Sequence, residues 1–148
     1  MRRLGRALAA DDGSTLPLVA FFGMLGLLIV LLVTAATSLY LEKKRLFTVA
    51  DGAALVGAEA FELDSVALTA GGPRPVLESD DVADAVAAYL AGNPAPDLEG
   101  LTVVRALTVD GRSATVTMTS VWHPPVVTLF VPEGLAIEAT ATARSVFG

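Results

Sequence analysis

LPLVAFFGMLGLLIVLLVTAATSLYL, residues 16–41, carries no charge, and no charged residue lies anywhere between Asp12 and Glu42. As a helix this run is roughly 39 Å long at ~1.5 Å per residue. The hydrocarbon layer of a bilayer is only ~30 Å thick, so one tilted transmembrane helix is expected over residues 16–41. The chain continues as EKKRLFTVADGAALVGAEAF, residues 42–61, without proline or a turn signal. Here apolar and small positions recur at helical spacing: Leu46, Val49, Ala50, Ala53, Ala54, Gly57, Ala58 and Phe61. Such a stripe needs a cover, so the helix is expected to leave the membrane as a stem against which the rest of the chain packs.

These residues carry a resemblance. Asp12-Gly13-Ser14 before a single span, Leu41-Glu42-Lys43-Lys44-Arg45 after it, and then Ala50-Asp51-Gly52-Ala53-Ala54-Leu55-Val56-Gly57-Ala58 resemble the N-terminal region of the TadE/TadG-like Flp pilus assembly proteins. The resemblance covers about the first sixty residues. It marks Ala50, Asp51, Ala53, Ala54, Gly57 and Ala58 as the family-motif stem, and it implies a cytoplasmic N-terminus with the C-terminal domain outside. Type IV-like prepilins, which this head also resembles, are cut after a Gly and carry Glu as the fifth mature residue. Leu18 stands at that place after Gly13. The resemblance therefore implies a retained anchor of the TadG-like kind, uncut at Gly13.

Charge is unevenly distributed. Residues 1–45 carry six Lys/Arg against three Asp/Glu (+3) and residues 46–148 four against thirteen (−9), together the −6 of the chain. The acidic part would be repelled by phosphate, which excludes nucleic acid as a partner; solvation accounts for its acidity. Cysteine is absent, which excludes disulfides, thiolate nucleophiles and Cys-based metal sites. Beyond the anchor only some eighty-five of the 148 residues remain, enough for one small domain that must rest on its core alone.

The membrane flanks tie at three basic residues each, Arg2, Arg3 and Arg6 against Lys43, Lys44 and Arg45, so charge alone does not orient the span. Pro17 suits a first helical turn and Ser14 or Thr15 a cap, which puts the helix start near Leu16. A cleaved signal peptide with a site at Val33-Thr34-Ala35 is the competing reading, against which apolar character persists to Leu41. Gly23, Gly26, Ala35 and Ala36 permit close helix approach in the bilayer, and with it a homo-oligomer through the transmembrane helix.

Residues 62–78 read as a loop marked by Gly71-Gly72-Pro73-Arg74-Pro75. A second helix follows, capped by Ser79 or Asp80, with a stripe of Val82, Val86, Tyr89 and Leu90 and a stop at Gly92-Asn93-Pro94. Asp80, Asp81 and Asp84 complement its dipole; no spaced calcium loop accompanies them. Residues 101–109 and 112–122 are β-rich and flank Asp110-Gly111, a pair suited to a two-residue hairpin turn. That turn would set Val109 opposite Arg112, Leu107 opposite Ala114, Arg105 opposite Val116 and Val103 opposite Met118. Leu101, Val103, Leu107 and Val109 would then share the buried face with Ala114, Val116 and Met118, while Ser113, Thr115, Thr117 and Thr119 stay wet.

The last strand, residues 135–147, alternates Leu135, Ile137, Ala139, Ala141 and Ala143 with Glu138, Thr140, Thr142 and Arg144. Alanine is a poor strand former, so its use here points to close packing on the small face of the stem. Between the strands, residues 123–132 form a Pro-bracketed apolar loop. Its Leu129, Phe130 and Val131 are either a docking surface for membrane or partner or a cover for the core and Trp122. Asp51 is expected to fix the stem to the sheet through a hydrogen bond or ion pair, with Arg105 as the candidate partner.

No phosphate loop, nucleophile elbow, HExxH or convergent carboxylate pair is present, and His123 is the only histidine. The sequence thus predicts no catalytic residue, no metal site and no cofactor. The expected fold is α+β and pilin-like: a head (1–15, cytoplasmic), a transmembrane helix (16–41), a helical stem (42–61) and a small extracytoplasmic domain (62–148) with an antiparallel sheet and one further helix. The expected role is a single-pass, membrane-anchored accessory component of a Tad (Flp) type pilus or secretion apparatus, acting by protein association. A tethered or secreted binding module for a small molecule or cell-wall glycan is the alternative.

Overall fold

The computed structural model describes residues 15–61, 66–69, 72–125 and 132–144. Helix α1 covers Leu16–Ala58 and belongs to two compact units, the first ending at Thr34 and the second beginning at Ala35. In the first unit the described side chains are exposed, apart from the half-buried Leu31. The Thr34 hydroxyl donates to the Val30 carbonyl at 2.8 Å, so this polar group is satisfied within the helix itself.

The second unit holds the remaining elements: strands β1 (Val66–Thr69) and β2 (Gly72–Pro75), helix α2 (Ser79–Gly92), and strands β3 (Thr102–Thr108), β4 (Ser113–Trp122) and β5 (Leu135–Arg144). β3, β4 and β5 form an antiparallel sheet in that order. The segment expected to be a loop is more ordered than the sequence suggests, because β1 and β2 pair as a small antiparallel ribbon with Thr69 opposite Gly72. Pro73 and Pro75 lie in β2, a strand paired along one side only, which a missing N–H permits.

The stem stripe is the centre of the core. Leu46, Ala50, Ala53, Ala54, Gly57 and Ala58 are buried, and they cluster with Val82 and Val86 of α2, Ala114, Val116 and Met118 of β4, and Ala139 and Ala141 of β5. A methyl group on Gly57 would sit 3.1 Å from Val82 Cγ1 and 3.3 Å from Ala114 Cβ, so helix, helix and strand meet there at near backbone contact. At the other end of β4, Trp122 Nε1 donates to Ser38 Oγ at 3.2 Å. Ala114 thus lies by Gly57 and Trp122 by Ser38, which means that β4 runs antiparallel to the stem. The expected small face of β5 is present, with Ala139 and Ala141 buried and Ile137 and Ala143 packed on the core; Leu135, at its start, is exposed.

The hairpin departs from its expected register. Val103 lies opposite Met118 as anticipated, but Val104 is bulged out, and beyond it Arg105 faces Thr117, Ala106 faces Val116 and Leu107 faces Thr115. One inserted residue moves Arg105 and Leu107 to the outer face and brings Ala106 to the core. The cause is energetic: without the bulge a guanidinium would face Val116 in the core, where burying an unpaired charge costs several kcal/mol, on the order of a small domain's whole margin. Val109, expected in the core, is 89% exposed in the turn.

That turn is longer than two residues. Asp110 Oδ1 accepts the Arg112 and Ser113 N–H groups at 2.9 and 2.7 Å, Oδ2 accepts the Ser113 hydroxyl at 3.0 Å, and Gly111 takes the positive φ of 65° that a side chain disfavours. The Gly111 carbonyl accepts Leu77 N–H at 3.0 Å and so holds the entry to α2. The helix itself has Glu78 at its cap position with no side-chain cap bond. Ser79, anticipated as a cap, instead donates to the Thr108 carbonyl at 3.3 Å and accepts Thr108 N–H at 3.2 Å, which fastens α2 to β3. Val82 and Val86 are buried, Tyr89 and Leu90 partly so, and Asn93 ends the helix with its N–H on the Tyr89 carbonyl, as the stripe and stop signals predict.

Two outcomes follow. Ala54→Leu or Ala141→Leu adds three heavy atoms where no room exists, which should destabilise the full-length protein by about 1–3 kcal/mol in detergent melts, while Leu55→Ala on the exposed side of the stem stays near wild type. The backbone N–H bonds of Arg112 and Ser113 lower the Asp110 pKa from 3.8 to about 2. A depressed carboxylate pKa contributes stability that is complete above 3.8 and lost as pH falls through about 2. The melting difference between wild type and Asp110→Asn should therefore shrink across that window.

Candidate functional site

The candidate residues fall into three groups: the stem motif, the basic residues expected to flank a membrane span, and the apolar loop. In the stem, the helical repeat sends Ala50, Ala53, Ala54, Gly57 and Ala58 into the core of their own domain, and Asp51 to solvent. Asp51 does not pair with Arg105; both side chains are exposed, and the bulge has carried Arg105 to the far face of the sheet. Gly52, half-buried beside it, carries the Tyr89 hydroxyl, and any methyl there would run into that oxygen. The motif thus supplies a flat helix face on which α2 and the sheet close.

Outside the buried stripe the stem exposes Tyr40, Leu41, Phe47 and Leu55, and near its start Lys43, Lys44 and Arg45 are exposed as well. Arg2, Arg3 and Arg6 lie outside the described residues, as do Leu129, Phe130 and Val131 of the apolar loop. Gly23 and Gly26 are open, with no heavy atom within 4 Å of where a Cβ would stand.

Around the described ends of that loop the structure is polar and tied. His123 Nδ1 pairs with Glu99 Oε2 at 3.0 Å, and the Glu99 carbonyl accepts Val121 N–H at 2.8 Å and the Ser120 hydroxyl at 3.1 Å. The α2–β3 connection is thereby fastened to the end of β4. Trp122, on the next residue, is 7% exposed and reaches Ser38. Among the described residues no group of three His, Asp or Glu side chains is placed to hold a metal. Asp80 and Asp81 occupy the first turn of α2, where the helix dipole favours them.

The outer face of the sheet is threonine-rich. Thr115 and Thr142 hydroxyls pair at 3.1 Å, Thr117 and Thr140 at 3.0 Å, each across the β4–β5 ladder. The alternation that marks this face also pointed to its hydroxyls, but their pairing depends on the β4–β5 register, which no local signal encodes. The Trp122–Ser38 bond was equally hidden, although Ser38 is one of the few polar residues near the end of the apolar run.

Comparison with known proteins bears on the same stretch. Residues 13–60 match the model of the Flp pilus-assembly TadE/G-like family. That segment takes in all of the apolar run and every buried residue of the stem. Searches of curated proteins and of solved structures found no match.

The two sides of the stem should separate on mutation. Gly57→Val forces branched methyls against Val82 and Ala114 and should lower the melting temperature markedly, whereas Asp51→Ala, at an exposed site without a described partner, should stay within about 0.5 kcal/mol of wild type by chemical denaturation.

Proposed function

We propose that this protein is a single-pass membrane-anchored accessory component of a Tad (Flp) type pilus or secretion apparatus, and that it works by protein association. The observation that carries the reading is the extent of the family match. Residues 13–60 contain both the apolar run and the buried face of the stem, so the matched segment is anchor and scaffold at once. The family is one of pilus assembly and not of enzymes, in line with the lack of a reactive constellation in the sequence.

In this reading the N-terminus is cytoplasmic and the domain built on α1 lies outside. The uncharged helix provides lateral contacts in the bilayer, where Gly23 and Gly26 allow another helix close, whether from a second copy or from an apparatus protein. The domain offers its exposed stem face and threonine face to subunits beyond the membrane. Joining the two contacts in one chain raises the effective concentration of the second once the first is made.

Complementation of a strain lacking the gene tests this. The full chain should restore piliation or secretion, while residues 1–45 alone, or residues 42–148 secreted without an anchor, should not. Rescue by the free domain at ordinary expression would show that the anchor is dispensable and would favour a ligand-binding module. A reporter active only in the cytoplasm, fused after Gly148, should stay silent; activity there would reverse the topology.

A further inference from the structure

The folded domain reaches further down α1 than the last apolar residue. Ser38 stands three positions before Leu41, within the uncharged run, and yet it already accepts the Trp122 hydrogen bond. Trp122 is paired with Leu135 across the β4–β5 ladder, so the base of the sheet lies level with Ser38. At this level the protein exposes Leu135 (50%), Tyr40 (66%) and Leu41 (51%), and Pro125 is exposed as well. About one helical turn further along the stem come Lys43, Lys44 and Arg45, all exposed.

This layering matches the chemistry of a bilayer boundary. Residues 16–34 form a helix of roughly 28 Å at ~1.5 Å per residue, close to the ~30 Å that hydrocarbon requires. Residues 35–41 are then left over, although none is charged. An exposed apolar surface at the foot of a domain, with a tyrosine at that depth and basic side chains just above, fits the interfacial layer: the phenol ring among the headgroups and ammonium or guanidinium groups at the phosphates.

We infer that the base of the domain, where Leu135, Pro125, Tyr40 and Leu41 are exposed around the buried Trp122, is a lipid-contact surface seated in the interfacial layer of the bilayer, with Lys43, Lys44 and Arg45 on the phospholipid phosphates. The inference rests on the anchored reading above. It adds that the stem does not hold the domain clear of the membrane. The domain stands on the lipid, and hydrocarbon ends near Thr34 rather than at Leu41.

The chain supplies its own probe, since Trp122 is its single tryptophan. Full-length protein would be reconstituted into phosphatidylcholine vesicles brominated either high on the acyl chain, near the headgroup, or near the chain end. Trp122 is buried directly behind the proposed surface, so shallow bromines should quench it more than deep ones. Because the chain has no cysteine, Leu135→Cys and Arg112→Cys can each carry one polarity-sensitive dye. The dye at position 135 should be blue-shifted on reconstitution and the dye at 112, in the hairpin turn, should not.

Protein that floats with the vesicles but shows no quenching from either depth, and no shift at position 135, would overturn the inference while leaving the anchor intact. Stronger quenching by deep than by shallow bromines would overturn the interfacial placement. Failure to float with vesicles would instead refute the anchored reading itself. Should Leu135→Cys fail to fold, the unlabelled wild-type quenching profile decides alone.

Discussion

The close approach of the stem to β4 and α2 is the contact on which the rest of the domain depends. Alanine and glycine bury little area, and each methyl group contributes only about 0.8 kcal/mol of transfer free energy. What they provide is proximity. With small residues at 50, 53, 54, 57 and 58, the helix lies near enough for many dispersion contacts at once, each weak and together substantial. Five of the fourteen apolar residues in the buried cluster described here come from the stem. With no disulfide available, the domain has no substitute for this face. The stem is therefore part of the globule.

Around that seam, a small number of polar ties fix the elements relative to one another. Ser79 with Thr108, Leu77 with Gly111, Glu99 with Ser120 and Val121, and Trp122 with Ser38 each join segments distant in sequence. Their placement at opposite ends of the sheet sets the pitch of α2 and the position of the α2–β3 connection. The bulge at Val104 does similar work within the sheet, because it lets one strand keep an apolar inner face while carrying an arginine.

The sequence made the larger features legible through periodicity. An uncharged run of helical length, a small-residue stripe, the 3.6-residue pattern of α2 and the alternation of β4 and β5 are each repeated over many residues, so isolated exceptions do not hide them. The misjudged features depend on single residues whose conformation is decided elsewhere. Asp110-Gly111 suits a tight turn, but the bonds that Asp110 makes to Arg112 and Ser113 favour a wider one, and the bulge then restores the pairing of Val103 with Met118. Ser79 is a fit cap by type, but Thr108 captures its hydroxyl. Of the candidate site, the stem positions were legible and their inward direction was expected. The outward course of Asp51 and Arg105 was not, since helix phase and strand register had to be known together.

The direction of β4 relative to α1 has a bearing on symmetry. β5 pairs with β4 alone among the described strands, and its ten residues run without a bulge. An antiparallel union of two β5 edges places a twofold axis normal to the sheet. Because β4 and the stem run in opposite senses, that axis would turn one copy's stem end for end. Two copies joined across this dyad therefore carry their stems in opposite senses. A side-by-side translation instead sets the β5 edge of one copy against the β3 edge of the next with all stems in the same sense, and such rows stay open.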